Sequence, residues 1–211
     1  MQEKVTIFWF RRDLRLDDNV GLYQALQGEY PVLPLFIFDP EILEKLPKDD
    51  ARVGFIFDTL QEMRKTLQKA FQSAIALYYD KPEKVFSNLL QAYDIQQVIT
   101  NHDYEPYAKV RDKAIADLLQ QHQIAFRTFK DQVIFEKNEV VKDDGQPYVV
   151  YTPYKNKWKE RFTPATHLLD YELDLASMIK DKALPNLTLA EMGFVKAPIK
   201  VPEYTVTKEL I

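Results

Sequence analysis

Cysteine is absent from the 211-residue sequence, and histidine occurs only three times, at positions 102, 122 and 167. The lack of cysteine excludes disulfides, thiolate nucleophiles and cysteine-ligated zinc sites. The histidines are far apart in the sequence, which argues against a metal cluster. The sequence contains neither the pattern of a signal peptide nor an apolar run long enough to span a membrane, so we expect a cytoplasmic protein without a membrane partner.

Glycine is also scarce, and acidic residues outnumber basic ones. The sequence has 5 glycines, none of them in a G-x-G-x-x-G arrangement, so a phosphate cradle of the dinucleotide-binding type is disfavoured. The net charge of −4 and the pI of about 5.5 mean that no basic field attracts this chain to DNA. Hydrophobic residues make up 46% and charged residues 28%, the balance of a soluble globular domain.

Apolar runs typical of strands alternate with amphipathic helical patterns through residue 130. Five strands are predicted, over residues 5–10, 32–38, 74–79, 95–101 and 124–129, with helices between them. Strands that alternate with helices form parallel sheets covered on both faces. We therefore predict an α/β fold, a doubly wound, Rossmann-like sheet of order 3-2-1-4-5.

The pattern changes after residue 130. Asp144-Gly145 between two β-rich stretches, 139–142 and 148–151, predicts a hairpin. Thr152-Pro153 predicts the cap and first residue of a helix that carries Tyr154, Trp158 and Phe162. We interpret residues 1–163 as the domain and 164–211 as a connecting segment that wraps around it or leads onward.

Ligands of doubly wound sheets bind beyond the carboxyl ends of the strands, where the strand order reverses. Here that point lies between strands one and four. Strand one is followed by Arg11, which we expect to point into the crevice and to stack on a planar ligand or donate to its carbonyl or carboxylate. The alternative is a solvated loop in which the arginines and aspartates of 11–18 pair with each other.

Strand four is followed by Asp103 and Glu105, which project to the same side if the chain stays extended as far as Pro106. Two carboxylates there suit a ligand rich in hydroxyl or ring N–H groups. The alternative for Glu105 is that it caps the helix that begins at Pro106.

Aromatic side chains near the ends of strand two complete the predicted slot. Phe36, Phe38 and Phe55 would form apolar walls for a flat molecule, although each of them alone is more typical of a core residue. No nucleophile–base pair, acid–base dyad or metal set occurs at this rim. The sequence therefore predicts a binding slot and no catalytic residues.

Residues 8–19 closely resemble the opening motif of the photolyase/cryptochrome family, with the sequence Phe8-Trp9-Phe10-Arg11-Arg12-Asp13-Leu14-Arg15-Leu16-Asp17-Asp18-Asn19. Three further motifs match in order and spacing: Tyr104-Glu105-Pro106-Tyr107-Ala108 with Arg111-Asp112, then Asp144-Gly145-Gln146-Pro147-Tyr148, then Tyr151-Thr152-Pro153-Tyr154 with Trp158. A weaker match covers residues 189–194, so the resemblance spans nearly the whole chain.

The resemblance implies a two-domain parent, a deoxyribodipyrimidine photo-lyase. In that family the α/β domain holds an antenna pigment, and a helical domain holds FAD and repairs pyrimidine dimers in DNA. The sequence would end where the helical domain begins, so we expect this chain alone to be inactive, with the helical domain as its partner and damaged DNA bound only through the parent. The alternatives are the same domain of a blue-light-signalling cryptochrome, or a Rossmann-like nucleotide-binding domain such as an electron-transfer flavoprotein subunit.

The resemblance also implies which residues line the pigment. In relatives that bind 8-hydroxy-deazaflavin, the matching positions are Arg11, Phe36, Phe38, Asp39, Arg52, Phe55, Asp103 and Glu105. Folate-binding relatives use an Asn-Glu pair that falls at Tyr107-Ala108 here, so this sequence departs from their pattern. A deazaflavin is therefore favoured over a folate, while FMN or an empty slot stays open.

Overall fold

A computed structural model describes residues 2–199 of the chain, so the end of the predicted connecting segment, 200–211, lies outside the described residues. Its sheet is five-stranded and all-parallel, in the order β3-β2-β1-β4-β5. The predicted fold class and strand order are thus confirmed. The strands are β1 Lys4–Phe10, β2 Val32–Phe38, β3 Ala76–Tyr79, β4 Asp94–Asn101 and β5 Ala125–Phe129.

Helices cover both faces of the sheet. They are α1 Val20–Leu26, α2 Pro40–Leu43, α3 Ala51–Phe71, α4 Pro82–Ala92, α5 Pro106–Gln121, α6 Tyr151–Arg161 and α7 Pro164–His167, with 3₁₀ turns at Lys137–Glu139 and Leu175–Ser177. Side chains alternate along a strand, so Phe8 and Phe10 pack against the α1 and α3 layer while Ile7 and Trp9 pack against α4 and α5. Burial on both faces explains why β1 and β2 are almost continuously apolar.

Side-chain caps and prolines fix where the helices start. Asn19 accepts from the Leu22 amide at 3.0 Å, and Asp39 and Asp50 cap α2 and α3 in the same way. Pro82 and Pro106 occupy the first positions of α4 and α5, as predicted. Within residues 2–199, none of the helices combines the length and apolar composition that crossing a membrane requires.

The predicted hairpin around Asp144-Gly145 is wrong. The turn exists, since the Gly145 amide donates to the Lys142 carbonyl at 2.9 Å and Gly145 has a φ of 78°, but no strands flank it. Val149 is 87% exposed, so this arm has no layer to pack against, and an isolated two-stranded ribbon is only marginally stable in water. The helix after it begins at Tyr151, with Val150 at the N-cap position and no side-chain capping bond, so Thr152 and Pro153 lie within its first turn and are not its cap and first residue as predicted. Proline is tolerated there because the first N–H groups of a helix lack partners.

The described part of the connecting segment is fastened to the α/β core. The Ile179 amide donates to the Val32 carbonyl at 2.9 Å, and the Leu77 amide of β3 donates to the Pro185 carbonyl at 2.8 Å. Its apolar side chains complete both core layers; those buried are Leu175, Met178, Ile179, Leu184, Met192 and Phe194. The described part of this segment therefore wraps around the domain.

Candidate functional site

The predicted site lies at the carboxyl edge of the sheet, where the loops after β1, β2 and β4 meet the first turns of α3 and α5. β4 ends at Asn101, so the strand does not continue to Glu105 as predicted. Glu105 itself has extended geometry, with φ −63° and ψ 144°, as expected before proline. Because α3 and α5 pack on opposite faces, their N-termini flank this edge from both sides.

Buried polar side chains shape the loop after β1. The Asp13 carboxylate accepts from the Arg11 amide at 2.8 Å and from Asn101 Nδ2 at 2.5 Å. Asn101 Nδ2 also donates to Asn19 Oδ1 at 2.9 Å, and Asn101 Oδ1 accepts from the Gly21 amide at 2.9 Å. A buried carboxylate is stable only when its lone pairs are satisfied. These residues, which the sequence analysis did not select, hold the ends of β1 and β4 together.

The Arg11 side chain is buried and bonded within the protein, contrary to the prediction that it points into the crevice. Its Nη1 donates to both carboxylate oxygens of Asp112 on α5, at 2.6 and 2.7 Å, and its Nη2 donates to the Asn101 carbonyl. Burial lowers the pKa of Arg11, and the contact with Asp112 opposes that effect. Arg11 and Arg111 both lie near the Trp9 indole, at 5.2 and 5.0 Å from its centroid.

Arg12 occupies the exposed position at the rim. It reaches from the loop after β1 to the loop after β4, with Nε 3.9 Å from Asp103 Oδ2 and Nη2 3.4 Å from Glu105 Oε1. Asp103 is buried and also lies 3.7 Å from Nη2 of the buried Arg111. Glu105 is the N-cap residue of α5, but its side chain makes no capping hydrogen bond.

Asp39 links the end of β2 to the start of α5. Its Oδ1 accepts from the Glu41 amide at 3.0 Å, and its Oδ2 accepts a hydrogen bond from the Tyr107 hydroxyl. Burial raises the pKa of Tyr107, and the bond to Asp39 raises it further, so the hydroxyl stays protonated and continues to donate. This contact spans the carboxyl end of β1.

The predicted aromatic walls divide into two groups. Phe36 and Phe38 are buried in the core, with their rings 4.8 Å apart in an edge arrangement, so little of either ring is available to a ligand. Phe55 is 54% exposed at the start of α3, beside a groove of about 620 Å³ that also includes Leu16 and Met63. Arg52 is exposed and donates twice to Asp50, at 3.0 and 2.6 Å, which lowers the pKa of Asp50 to about 2.

A second cluster adjoins this rim. His102 Nδ1 lies 2.5 Å from Glu136 Oε1, which also accepts from the Tyr104 hydroxyl. Burial raises the pKa of Glu136, but these two bonds outweigh it and the net effect is a lowered pKa. The cluster ties the 130–139 segment to the loop after β4, and the sequence analysis did not predict it.

The arrangement provides planar cations, carboxylates and exposed rings at one edge. Among the residues described, no group of three or more histidine, aspartate or glutamate side chains is placed to hold a metal ion. The contacts around Arg11, Asp39 and Asp103 hold the loops in place. An external molecule could reach the exposed groups at this edge, which are Arg12, Glu105, Arg52, Tyr107 and Phe55.

The chain is similar to known proteins over most of its length. The family model for DNA photolyase matches residues 6–171. A deoxyribodipyrimidine photo-lyase from Synechococcus sp. is 32% identical over 194 residues, covering 89% of this chain and 40% of that protein. Cryptochrome-2 from Arabidopsis thaliana is 30% identical over 161 residues, covering 75% of this chain and 25% of that protein. The chain thus spans well under half the length of these two relatives.

Solved structures show the same fold. A bacterial class III photolyase from Agrobacterium tumefaciens superposes with a TM-score of 0.76 at 22% identity, over 94% of this chain and 40% of that one. An archaeal photolyase from Sulfolobus tokodaii, solved with two FAD molecules, superposes with a TM-score of 0.73 at 24% identity, over 93% of this chain and 43% of that one.

Proposed function

The chain belongs to the DNA photolyase family, and from this premise we propose that it is the antenna-binding α/β domain of a light-driven DNA-repair enzyme. Membership of the family implies a flavin or a light-harvesting cofactor. In our proposal residues 1–163 hold the pigment, and residues 164–211 connect to a helical FAD-binding domain that would carry out dimer repair.

The observation that carries this proposal is the set of exposed groups at the carboxyl edge. Phe55 and Tyr107 offer apolar ring surface, while Arg12 and Arg52 offer flat guanidinium groups that stack on rings or donate to carbonyls. A binding slot for a flat aromatic molecule needs these features, and nothing at the edge resembles a nucleophile activated by a base.

The favoured pigment is 8-hydroxy-deazaflavin. In folate-binding relatives an Asn-Glu pair would fall at positions 107 and 108, but Ala108 is 2% exposed and has no polar side-chain atom, and the Tyr107 hydroxyl is engaged by Asp39. Neither residue can hold a pterin in the way that a carboxylate and an amide do. FMN is the second choice.

This chain would act by holding and orienting the pigment. Arg12, Arg52 and Glu105 would set the orientation of the ring, and Phe55 and Tyr107 would shield it from water. The buried contacts of Asp39 and Asp103 would keep the rim rigid. A fixed orientation matters because the pigment would pass its excitation energy to FAD in the helical domain.

Fluorescence titration of the 211-residue chain with 8-hydroxy-deazaflavin, a methenyl-tetrahydrofolate and FMN tests the proposal. We expect the deazaflavin to bind most tightly, and Phe55→Ala to weaken it by about tenfold because an aromatic contact is lost. Tyr151→Ala, which removes another exposed ring, this one from α6, is the control and should bind as the wild type does. Tighter binding of the folate overturns the choice of pigment, and failure of all three to bind overturns the proposed role.

A cryptochrome is the second candidate, supported by the identity with the Arabidopsis protein. The residues that separate repair from signalling would surround FAD, in the helical domain. Cloning the complete gene and measuring dimer repair under blue light distinguishes the two, since a cryptochrome would bind the pigment without repairing DNA.

A further inference from the structure

The connecting segment lies along one side of α3 and makes polar contacts to it at steps of three or four residues. On α3 these contacts are at Phe71, Gln68, Arg64, Gln61 and Asp58, and their partners in the segment are Lys180, Lys182, Leu184 with Pro185, Asn186 and Lys196. Residues at this spacing share one face of a helix. The segment therefore runs antiparallel to α3, from its carboxyl end to its amino end.

A turn at residues 188–193 precedes the last contact. The Glu191 carboxylate accepts from the Thr188 amide at 2.6 Å, and Gly193 has a φ of 73°, a backbone conformation that favours glycine. The next residue, Phe194, is 2% exposed and belongs to the core. Residues 188–196, here called the clasp, are thus shaped by their own hydrogen bonds and anchored in the core by Phe194.

The clasp holds the loop between α2 and α3 at Lys48. The Val195 amide donates to the Lys48 carbonyl at 2.8 Å, and Lys48 Nζ lies 4.9 Å from the centroid of the Phe194 ring. Within the described part of the chain, the other hydrogen bonds between backbone groups of residues 44–50 and the rest of the backbone are local, spanning three or four residues. The clasp is therefore what ties the backbone of this loop to a distant segment.

The loop leads directly into the start of α3. Asp50 accepts from the Arg52 amide at 2.9 Å and so caps the helix, while the Arg52 guanidinium pairs with the same carboxylate. Phe55 lies about one turn further along and is 54% exposed. A shift of Lys48 would therefore be carried over two residues to Asp50, and from there to the exposed groups at this end of α3.

We propose that the clasp positions the loop between α2 and α3 and, through it, the end of α3 that carries Arg52 and Phe55. Phe194 and Val195 are then positioning residues, which act on the pigment site without touching the pigment. The inference rests on the proposed pigment-binding function and adds regulation to it, because release of the clasp lowers the affinity for the pigment. Such coupling is reciprocal, so a bound pigment also holds the clasp in place.

Hydrogen exchange of the 211-residue chain, followed by mass spectrometry, tests the clasp directly. Val195→Pro removes the amide that donates to Lys48, whereas Val195→Ala keeps it, and the exposed side chain means that both variants should retain the fold. In Val195→Pro the amides of residues 44–54 should exchange about tenfold faster than in the wild type, since the bond that ties the loop is lost. Val195→Ala should exchange as the wild type does, and equal exchange in the two variants overturns the clasp.

Titration of the same chains with 8-hydroxy-deazaflavin tests the coupling. Val195→Pro should bind the pigment about fivefold more weakly than Val195→Ala, and saturating pigment should slow the exchange of residues 188–196 in the wild type. Faster exchange of the loop with an unchanged affinity overturns the coupling while the pigment site stands. If the wild type binds no pigment, the proposed function fails, and the exchange comparison still decides whether the clasp holds the loop.

Discussion

Gly21, in the first turn of α1, packs against Asn101 at the end of β4. A Cβ atom built there would lie 2.5 Å from Asn101 Oδ1 and 2.9 Å from the Phe8 ring, both in the core. Gly21→Ala must therefore break the hydrogen bond from the Gly21 amide to Asn101 Oδ1 or displace the Phe8 ring. We expect a loss of about 2–3 kcal/mol in unfolding free energy, measured by urea denaturation.

Gly54→Ala provides the matched control for that measurement. Gly54 is also helical, but a Cβ atom there meets nothing within 4 Å. Alanine is the better helix former, so this variant should gain about 0.5–1 kcal/mol. If the two substitutions change the free energy of unfolding equally, crowding at Asn101 does not constrain the start of α1.

Glu136 gives the rim a dependence on pH. Its pKa in the folded chain lies below the ordinary 4.5 because Tyr104 and His102 donate to the ionised form, although burial acts in the opposite direction. A lowered pKa means that the ionised group stabilises the fold above 4.5 and that this contribution is lost as the pH falls through the folded value.

Glu136→Gln should accordingly unfold at a lower urea concentration than the wild type at neutral pH. The two midpoints should converge below the ordinary pKa of 4.5, where the wild-type side chain becomes protonated. A difference that is the same at all pH values would mean that the charge of Glu136 is not involved.

Within the site, the sequence predicts the location of single residues better than it predicts their contacts. The strand order predicts the carboxyl edge as the place where these loops meet, but it does not show that Arg11 is buried and Arg12 exposed. The strand alternation contained the signal: Arg11 is two residues after Trp9, so it lies on the α5 face, where Asp112 pairs with it. The pairings of Asp13, Asn101 and Glu136 depend on contacts between distant segments, which no local pattern reveals.

At the level of elements, the alternation of strands and helices up to residue 130 was sufficient to predict β1–β5 within two residues at each end. The four-residue α2 was missed because it is too short to show a period. The hairpin prediction failed because turn chemistry at Asp144-Gly145 predicts a reversal of the chain but not a layer to pack against.

Arg64 of α3 fastens the wrapping segment to the core. Its Nη1 donates to the carbonyls of Ile75 and Pro185, the latter at 3.0 Å, and its Nη2 donates to the Leu184 carbonyl at 3.0 Å. Burial lowers the pKa of Arg64. One side chain thus joins α3, the residue before β3 and the segment at 184–185.

Arg64→Met should leave these carbonyls without their donor and cost about 2–4 kcal/mol of unfolding free energy. Lys65→Met, at the next position, replaces an exposed side chain that pairs with Glu62 on the surface, and should change stability by less than about 0.5 kcal/mol. Limited proteolysis should cut first in the 180–186 segment of Arg64→Met. Stability equal to that of the wild type would show that the apolar contacts of the segment are sufficient without Arg64.

For the whole molecule, the balance of charge limits binding to DNA. The chain has a net charge of −4, and the basic residues of α6 are partly engaged: Lys157 pairs with Glu160 at 3.1 Å, and Arg161 donates to the Glu139 carbonyl. Lys155 and Lys159 can still contact phosphates, and two such contacts give only weak binding to DNA.

Fluorescence anisotropy with labelled duplex DNA should therefore show binding that disappears as salt is raised to physiological strength, with no preference for dimer-containing DNA. Replacing both Lys155 and Lys159 by glutamine should weaken even the low-salt binding. Tight, damage-selective binding at physiological salt would contradict this view of α6.

The chain covers about 40% of the photo-lyase from Synechococcus, and the proposed division of labour can be tested on the 211-residue chain alone. Both of its tryptophans fall within the α/β part of the fold: Trp9 is buried beside Arg11 and Arg111, and Trp158 lies on α6 against Phe135 and Phe162. Cations beside an indole disfavour its loss of an electron, so Trp9 is poorly suited to relay electrons to a flavin.

We expect that illumination of the chain with FAD and dimer-containing DNA leaves the dimers intact, as measured by chromatography of the digested DNA. Repair above the rate with FAD alone would mean that the catalytic groups lie within these 211 residues, and the assignment to an antenna domain would have to be abandoned.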